Sequence, residues 1–244
     1  MSATDESTAL YGLLAVPASV SDLQPSNSTP ATVPISSLHP PTTALANRVN
    51  AYAKSTLPPQ TYAHSMRVYC YGAAIGRECF PEWNLTPGSA LDQTYFVTAM
   101  LHDIGTTDQN ISSTKLSYEF FAGVLALDLL QQDGEGKASK AQAESVAEAI
   151  FRHQDVQDKG MVTLLTQLIQ MGTLLDNIGA ETPAKWVTRG TIEGINKMWP
   201  REGWSGCFKR TVEEEKRLKP YAMVSRIQGF EEVIMGNKVT AVDE

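Results

Sequence analysis

Residues 101–107 read LHDIGTT, and the adjacent His102 and Asp103 set an imidazole beside a carboxylate. Both groups are good ligands for a divalent transition metal such as zinc or iron. The pair closes an apolar run, Tyr95-Phe96-Val97-Thr98-Ala99-Met100-Leu101, so a helix ending there carries both polar side chains out of the core at its last turn. A helix-end histidine hydrogen-bonded to its neighbour would read the same way, and the dipeptide alone does not choose. His64 falls in the first turns of an earlier helix, and Asp176 interrupts an apolar one built from Leu164, Leu165, Leu168, Ile169, Met171, Leu174 and Leu175. An unpaired carboxylate in such a helix carries a heavy desolvation cost. Asp176 therefore either turns outward to cap the following turn or faces a cation. In chain order the four candidates read H…HD…D, each at or near a helix end.

The elements that must position these side chains have the period of helices throughout. Thr43–Leu57 puts Leu45, Val49, Tyr52 and Ala53 on one face. Beyond Pro58-Pro59 a second helix over about Gln60–Phe80 carries His64 and an apolar stripe of Met66, Tyr69, Ala73 and Gly76. Ser89 or Asp92 caps the helix that delivers His102 and Asp103. Further helices are expected over Ser113–Gln132, Ser139–His153, Met161–Ile178, Lys185–Trp199 and Arg210–Lys219. No alternating strand pattern and no internal repeat occurs, so the body is expected to be all-α. Residues 19–43 are rich in Ser, Thr and Pro, a composition that does not offset chain entropy by burial. The expected organisation is an extended or partly disordered N-terminal arm over 1–43, a helical domain over 44–235, and a frayed tail over 236–244. His39, in the arm, is expected at the surface.

Bulk properties narrow the function classes. The net charge of −7, from 20 basic and 27 acidic residues, argues against a dedicated nucleic-acid binder. No apolar run approaches the roughly 20 residues of a membrane span. The first ten residues contain two acids and no base, unlike a secretory signal. The three cysteines lack CxxC spacing and suit a reducing compartment, so cytoplasm or nucleus is expected.

At the level of blocks, HSMRVYCYG from His64, LHDIGTTDQN from Leu101, KLSYEFFAG from Lys115, FRHQD from Phe151 and LLDNIG from Leu174, the chain resembles the fungal cyanamide hydratases within the HD-domain superfamily of metal-dependent proteins. The resemblance spans residues 44–210 and implies an all-α HD-type bundle, one zinc per subunit and hydration of the nitrile of cyanamide to urea. Iron(II) or manganese also suits such ligands. The expected partner is a small-molecule substrate, with neither nucleic acid nor membrane. A homo-oligomer is expected from the amphipathic Lys185–Trp199 helix and the Trp-bearing segment after it, which offer a subunit contact. By match, His64, His102, Asp103 and Asp176 are metal ligands, while His153 and Thr173 contact substrate, His153 as a proton relay and Thr173 as an orienting hydroxyl. Taken alone, His153 could instead cap its helix, and Thr173 could bond back to its own backbone. So small a substrate implies a small pocket lined by apolar residues that excludes larger nitriles. The alternative is a metal-dependent phosphohydrolase acting on nucleotides. Many of these read HDIGK, but this chain has Thr106 at the lysine position, leaving Lys115 as the nearest replacement. A non-catalytic binding protein with a vestigial metal site is the remaining reading.

Overall fold

The computed structural model describes residues 8–155 and 157–241, and these are predominantly helical. Apolar side chains at three- and four-residue spacing form α1 (Ala44–Thr56), α2 (Pro59–Cys79) and α3 (Ala90–Leu101). They continue through α4 (Asp108–Ser113), α5 (Tyr118–Gln131), α6 (Lys140–Arg152) and α7 (Leu164–Ile178). Beyond these lie α8 (Glu181–Ala184), α9 (Arg189–Met198), α10 (Trp204–Leu218) and α11 (Phe230–Met235). Side-chain caps set several starts: Thr43 accepts from Ala46 N–H, Ser89 from Asp92 N–H and Ser139 from Gln142 N–H. Between α1 and α2, Pro58 breaks the chain and Pro59 fits the first helical position, where no N–H is needed.

The main core lies between α2, α3, α6 and α7. Leu164, Leu165, Leu168, Ile169, Met171 and Leu175 of α7 are all fully buried in it. Each contributes about 1.5–3 kcal/mol of burial. A Cβ on Gly172 would meet the Val68 carbonyl at 2.7 Å, so the bare glycine is what lets α7 lie against α2. That approach brings Asp176 to His64. A smaller cluster of Trp204, Phe208, Val212, Val224, Phe230 and Ile234, from α10, α11 and the turn between them, covers one side of the site.

The structure departs from the sequence expectations in several places. Helix α10 starts at Trp204, six residues before the expected Arg210, and α9 starts at Arg189 and not Lys185. The helix expected from Ser113 begins at Tyr118, after the separate α4. The helix expected from Met161 begins at Leu164, because Met161–Thr163 forms strand β2, antiparallel to β1 (Ala15–Pro17) with Val16 opposite Val162. Thr163 ends the strand and caps α7 by accepting from Thr166 N–H. The arm is anchored over its described part, residues 8–43: Ala18, Leu23, Ala31 and Leu38 are buried, and Ala31 exchanges backbone hydrogen bonds with Trp186 and Thr188. His39 is exposed. The tail is not frayed over its described part, since Asn237 Nδ2 donates to the Asp176 carbonyl at 3.0 Å and Thr240 is buried beside it. Residues 242–244 lie outside the described residues.

Candidate metal centre

Helix α2 presents His64 inward, α3 ends on His102 with Asp103 following, and α6 ends on His153. All four side chains are almost fully buried. After Asp103 the chain turns sharply: Thr106 Oγ1 donates to the Asp103 carbonyl at 2.7 Å, and Asn110 Nδ2 donates to the Ile104 carbonyl at 2.6 Å. A Cβ on Gly105 would sit 2.2 Å from the Tyr118 carbonyl, so the turn packs directly on the start of α5. Thr106 thus closes the turn at the position that holds lysine in an HDIGK sequence.

The tautomers of three histidines follow from their partners, because a carbonyl or carboxylate oxygen accepts only. His102 Nδ1 donates to the Ala99 carbonyl at 2.8 Å, and His153 Nδ1 to the Ile150 carbonyl at 2.7 Å. His64 Nδ1 donates to Asp176 Oδ2 at 2.6 Å. In its neutral form each ring therefore turns an Nε2 lone pair toward Asp103. His64 Nε2 and His102 Nε2 are 3.2 Å apart, and Asp103 Oδ2 is 3.6 and 3.3 Å from them. His153 Nε2 lies 3.9 Å from Asp103 Oδ1, and neither atom has a hydrogen-bond partner. Lone pairs facing one another in a buried space are repulsive, and a cation relieves them. His64, His102 and Asp103 each offer a donor atom, all within 4.8 Å of one another, and this group could hold a metal ion. Two imidazoles and a carboxylate, with outer nitrogens already hydrogen-bonded, are a donor set suited to zinc.

Electrostatics agree for His64 and His153. Burial pushes the His64 and His153 imidazoles down to about 4, so both are neutral at neutral pH. Burial also acts downward on His102, but the Asp103 carboxylate beside it outweighs this and raises it. Burial would raise Asp103, yet the imidazoles of His102, His64 and His153 hold it well below the usual carboxylate range.

Asp176 is buried beside the cluster, not turned to solvent. Arg67 grips it with Nε on Oδ1 at 2.8 Å and Nη2 on Oδ2 at 2.9 Å, and Arg201 Nη1 adds a bond to Oδ1 at 2.7 Å. With His64 Nδ1, these fill the acceptor positions of the carboxylate. The two arginines overcome its burial and keep it ionised. Thr173, one helical turn earlier on α7, is nearly buried and donates its hydroxyl proton to the Ile169 carbonyl at 3.0 Å. The back-bond to its own helix is therefore present, and the oxygen lone pairs stay available to accept. Thr173 and His153 share the lining of a half-open cavity of about 390 Å³. The cavity is larger than expected for so small a substrate, although its lining is largely apolar as anticipated. Lys115 is exposed and lies outside this lining.

Sequence reasoning missed Arg67, Arg201 and Trp204. The Trp204 ring stacks on His64 at 4.2 Å and 14°, and its Nε1 donates to Asn177 Oδ1. Arg67 had a signal: it follows His64 by three residues and so shares its helix face. Glu119 was also missed. It is fully buried at the start of α5, and neither carboxylate oxygen has a hydrogen-bond partner. Burial first, then the charges of Glu215 and Asp103, raise it from 4.5 to about 8. A carboxyl whose folded value is raised stabilises the fold fully below its unfolded value and progressively less as pH rises toward its folded value. The stability contributed by Glu119 itself should therefore fall between roughly pH 4.5 and 8, at about 1.4 kcal/mol for each pH unit crossed. Glu119→Gln should remove this loss, so that its melting temperature gains on wild type between pH 6 and pH 9. Parallel melting curves across that range would refute a protonated Glu119.

Fold and centre together define an all-α protein with a buried His–His–Asp group able to bind a metal ion. No protein-family model matches the chain. It is 36% identical over 217 residues, 89% of its own length and 92% of theirs, to the cyanamide hydratases DDI2 and DDI3 of Saccharomyces cerevisiae. The chain belongs to the cyanamide hydratase family. No helix among the described residues is long and apolar enough to cross a membrane.

Proposed function

We propose that this protein hydrates the nitrile of cyanamide to urea, in an HD-type helical domain over 44–235, at a zinc centre held by His64, His102 and Asp103 with Asp176 as the fourth residue. The observation that carries the reading is the convergence of imidazole Nε2 lone pairs on one buried carboxylate. When bound, the cation supplies Lewis acidity, which makes water acidic enough to serve as a nucleophile near neutral pH. His64, His102 and Asp103 hold it. Asp176 completes the set from the far side of His64, where its Oδ2 accepts from Nδ1 and holds the ring with Nε2 turned toward the site the cation would take.

The remaining roles fall to two side chains on the cavity. His153 is neutral, with Nδ1–H tied to the Ile150 carbonyl, so its free Nε2 accepts a proton from the attacking water. The same nitrogen returns that proton to the nitrile nitrogen, which becomes basic as the triple bond becomes a double bond. Thr173 Oγ1, with its proton on the Ile169 carbonyl, accepts from the amino group of cyanamide and fixes its direction. The resulting isourea tautomerises to urea, and nothing leaves. Phosphate transfer is less well supported, because it needs cationic clamps for its developing charge. Here Arg67 and Arg201 are engaged by Asp176, Arg226 on the cavity wall is paired with Asp155, and Lys115 is exposed.

Three measurements test these assignments. Chelation should abolish urea release from cyanamide and added zinc should restore it; unchanged release by metal-stripped protein would defeat the reading. His153→Ala should keep its metal while kcat falls on the order of 10²–10⁴-fold, and a near-normal kcat would remove the relay. Asp176→Asn should lose stoichiometric metal; full retention would show that the Asp176 charge is not needed to hold His64 for the ion.

A further inference from the structure

Two contacts set the orientation of the His64 ring, and only one of them is a hydrogen bond. Asp176 Oδ2 accepts from Nδ1 at 2.6 Å and fixes one edge. A bond at one edge leaves a ring free to tilt about it, which would swing Nε2 away from His102 and Asp103. The Trp204 indole blocks that tilt. It lies flat on the imidazole, with 4.2 Å between centroids and 14° between planes. Phe208 lies nearly parallel to both rings, 5.3 Å from Trp204 and 6.5 Å from His64. The indole is anchored in turn, because Nε1 donates to Asn177 Oδ1 at 2.9 Å. Asn177 follows Asp176 on α7, so one helix end holds both the edge of His64 and the ring that covers its face. By contrast, the rings beside His102 and His153 meet them tilted or edge-on, at angles between 55° and 84°.

Resting on the reading of His64 as a zinc ligand, we infer that Trp204 is a positioning residue of the metal centre: its flat face fixes the plane of His64 and so sets how tightly the ion is held. The indole N–H only donates, and Asn177 engages it, so Trp204 supplies no ligand atom and acts through the imidazole. A ring already held in the binding orientation loses less freedom when the ion arrives than one that must be ordered at that moment. Outer groups that orient a metal-binding histidine typically contribute about 10–100-fold in affinity. Asp176 takes that role through a hydrogen bond, and Trp204 takes it through a stacked face.

The experiment measures zinc affinity of the full chain by competition with a chromogenic chelator, a readout that needs no turnover, beside melting curves of the metal-free protein. Trp204→Leu keeps an apolar side chain without a flat face, and it should weaken zinc binding at least about tenfold. Should the leucine variant not fold, Trp204→Met takes its place. Trp204→Phe restores a flat ring without the N–H and should recover most of the affinity. Val212→Ala, which opens a cavity elsewhere in the same aromatic cluster, should lower the melting temperature and leave zinc affinity unchanged. Wild-type affinity in the folded leucine or methionine variant would overturn the inference and leave His64 as a ligand. So would zinc binding weakened as much by Val212→Ala as by Trp204→Leu, because general loosening of the cluster would then explain both. A phenylalanine variant no better than leucine would show that the flat face is not what positions His64. Wild-type protein that binds no zinc would remove the metal reading and this inference with it.

Discussion

Asp103→Ala is expected to fold, to bind no stoichiometric metal, and to release urea from cyanamide at least about 10³-fold more slowly, a loss of ~4 kcal/mol of transition-state stabilisation. The reason is charge as much as geometry. Asp103 touches all three imidazoles of the centre, with Oδ2 toward His64 and His102 and Oδ1 toward His153. Asp176, the other carboxylate there, is already offset by Arg67 and Arg201. Asp103 is therefore the anion left to balance a divalent ion, since the neutral imidazoles bring lone pairs and no charge. Asp103→Asn keeps the shape and one carbonyl oxygen but removes that charge, and it should fail almost as completely. Metal content by mass spectrometry of the native protein, read beside urea release, checks both variants. An asparagine variant with stoichiometric metal and normal turnover would show that the carboxylate charge is not what binds the ion.

Arg67→Met should be the most damaging change to stability. The methionine fills similar volume, but Asp176 loses two hydrogen bonds from a buried guanidinium and remains a charge inside the core. Breaking a buried pair by removing one partner costs about 3–5 kcal/mol. For a chain of this size that corresponds to a melting temperature lower by roughly 10 °C. Arg67→Lys should recover only part of the loss, because a lysine ammonium does not reproduce the two-pronged grip on both oxygens. The same change should weaken metal binding, since Asp176 is what holds the His64 ring with Nε2 inward. A melting temperature within 2–3 °C of wild type, about 1 kcal/mol, would mean that Arg201 alone suffices to compensate Asp176.

The helical class was legible because the apolar residues keep a period near 3.6 over most of the chain, and strong caps such as Ser89 and Ser139 mark where helices begin. The centre was legible in part. His102 and Asp103 are adjacent, and Asp176 interrupts an otherwise apolar helix; both are local signals that the structure places side by side with His64. What could not be read is what reaches the site from far along the chain. Arg201 is 25 residues from Asp176, and Arg67 is 109. No local pattern announces that two arginines will share one carboxylate. Trp204 lies before the helix expected over Arg210–Lys219, whereas α10 begins at Trp204, and only packing reveals its ring stacked on His64. Glu119 sits in a mixed aromatic stretch where a charged residue would ordinarily face water, and the fold buries it instead. The pairing of β1 with β2 escaped for a related reason: three-residue strands carry too little alternation to register, and their pairing depends on where the arm returns. The extent of the cavity was misjudged because its far wall comes from the C-terminal segment, whose short helices show no clear period.

The central claim is that one metal ion sits where the Nε2 atoms of His64 and His102 meet Oδ2 of Asp103. Anomalous X-ray scattering at the zinc absorption edge, on crystals of zinc-loaded protein that releases urea from cyanamide in solution, tests it most directly. A single strong peak within bonding distance of those three atoms is the predicted result. A peak at some other place, or none at that point in crystals of protein with full activity, would contradict it.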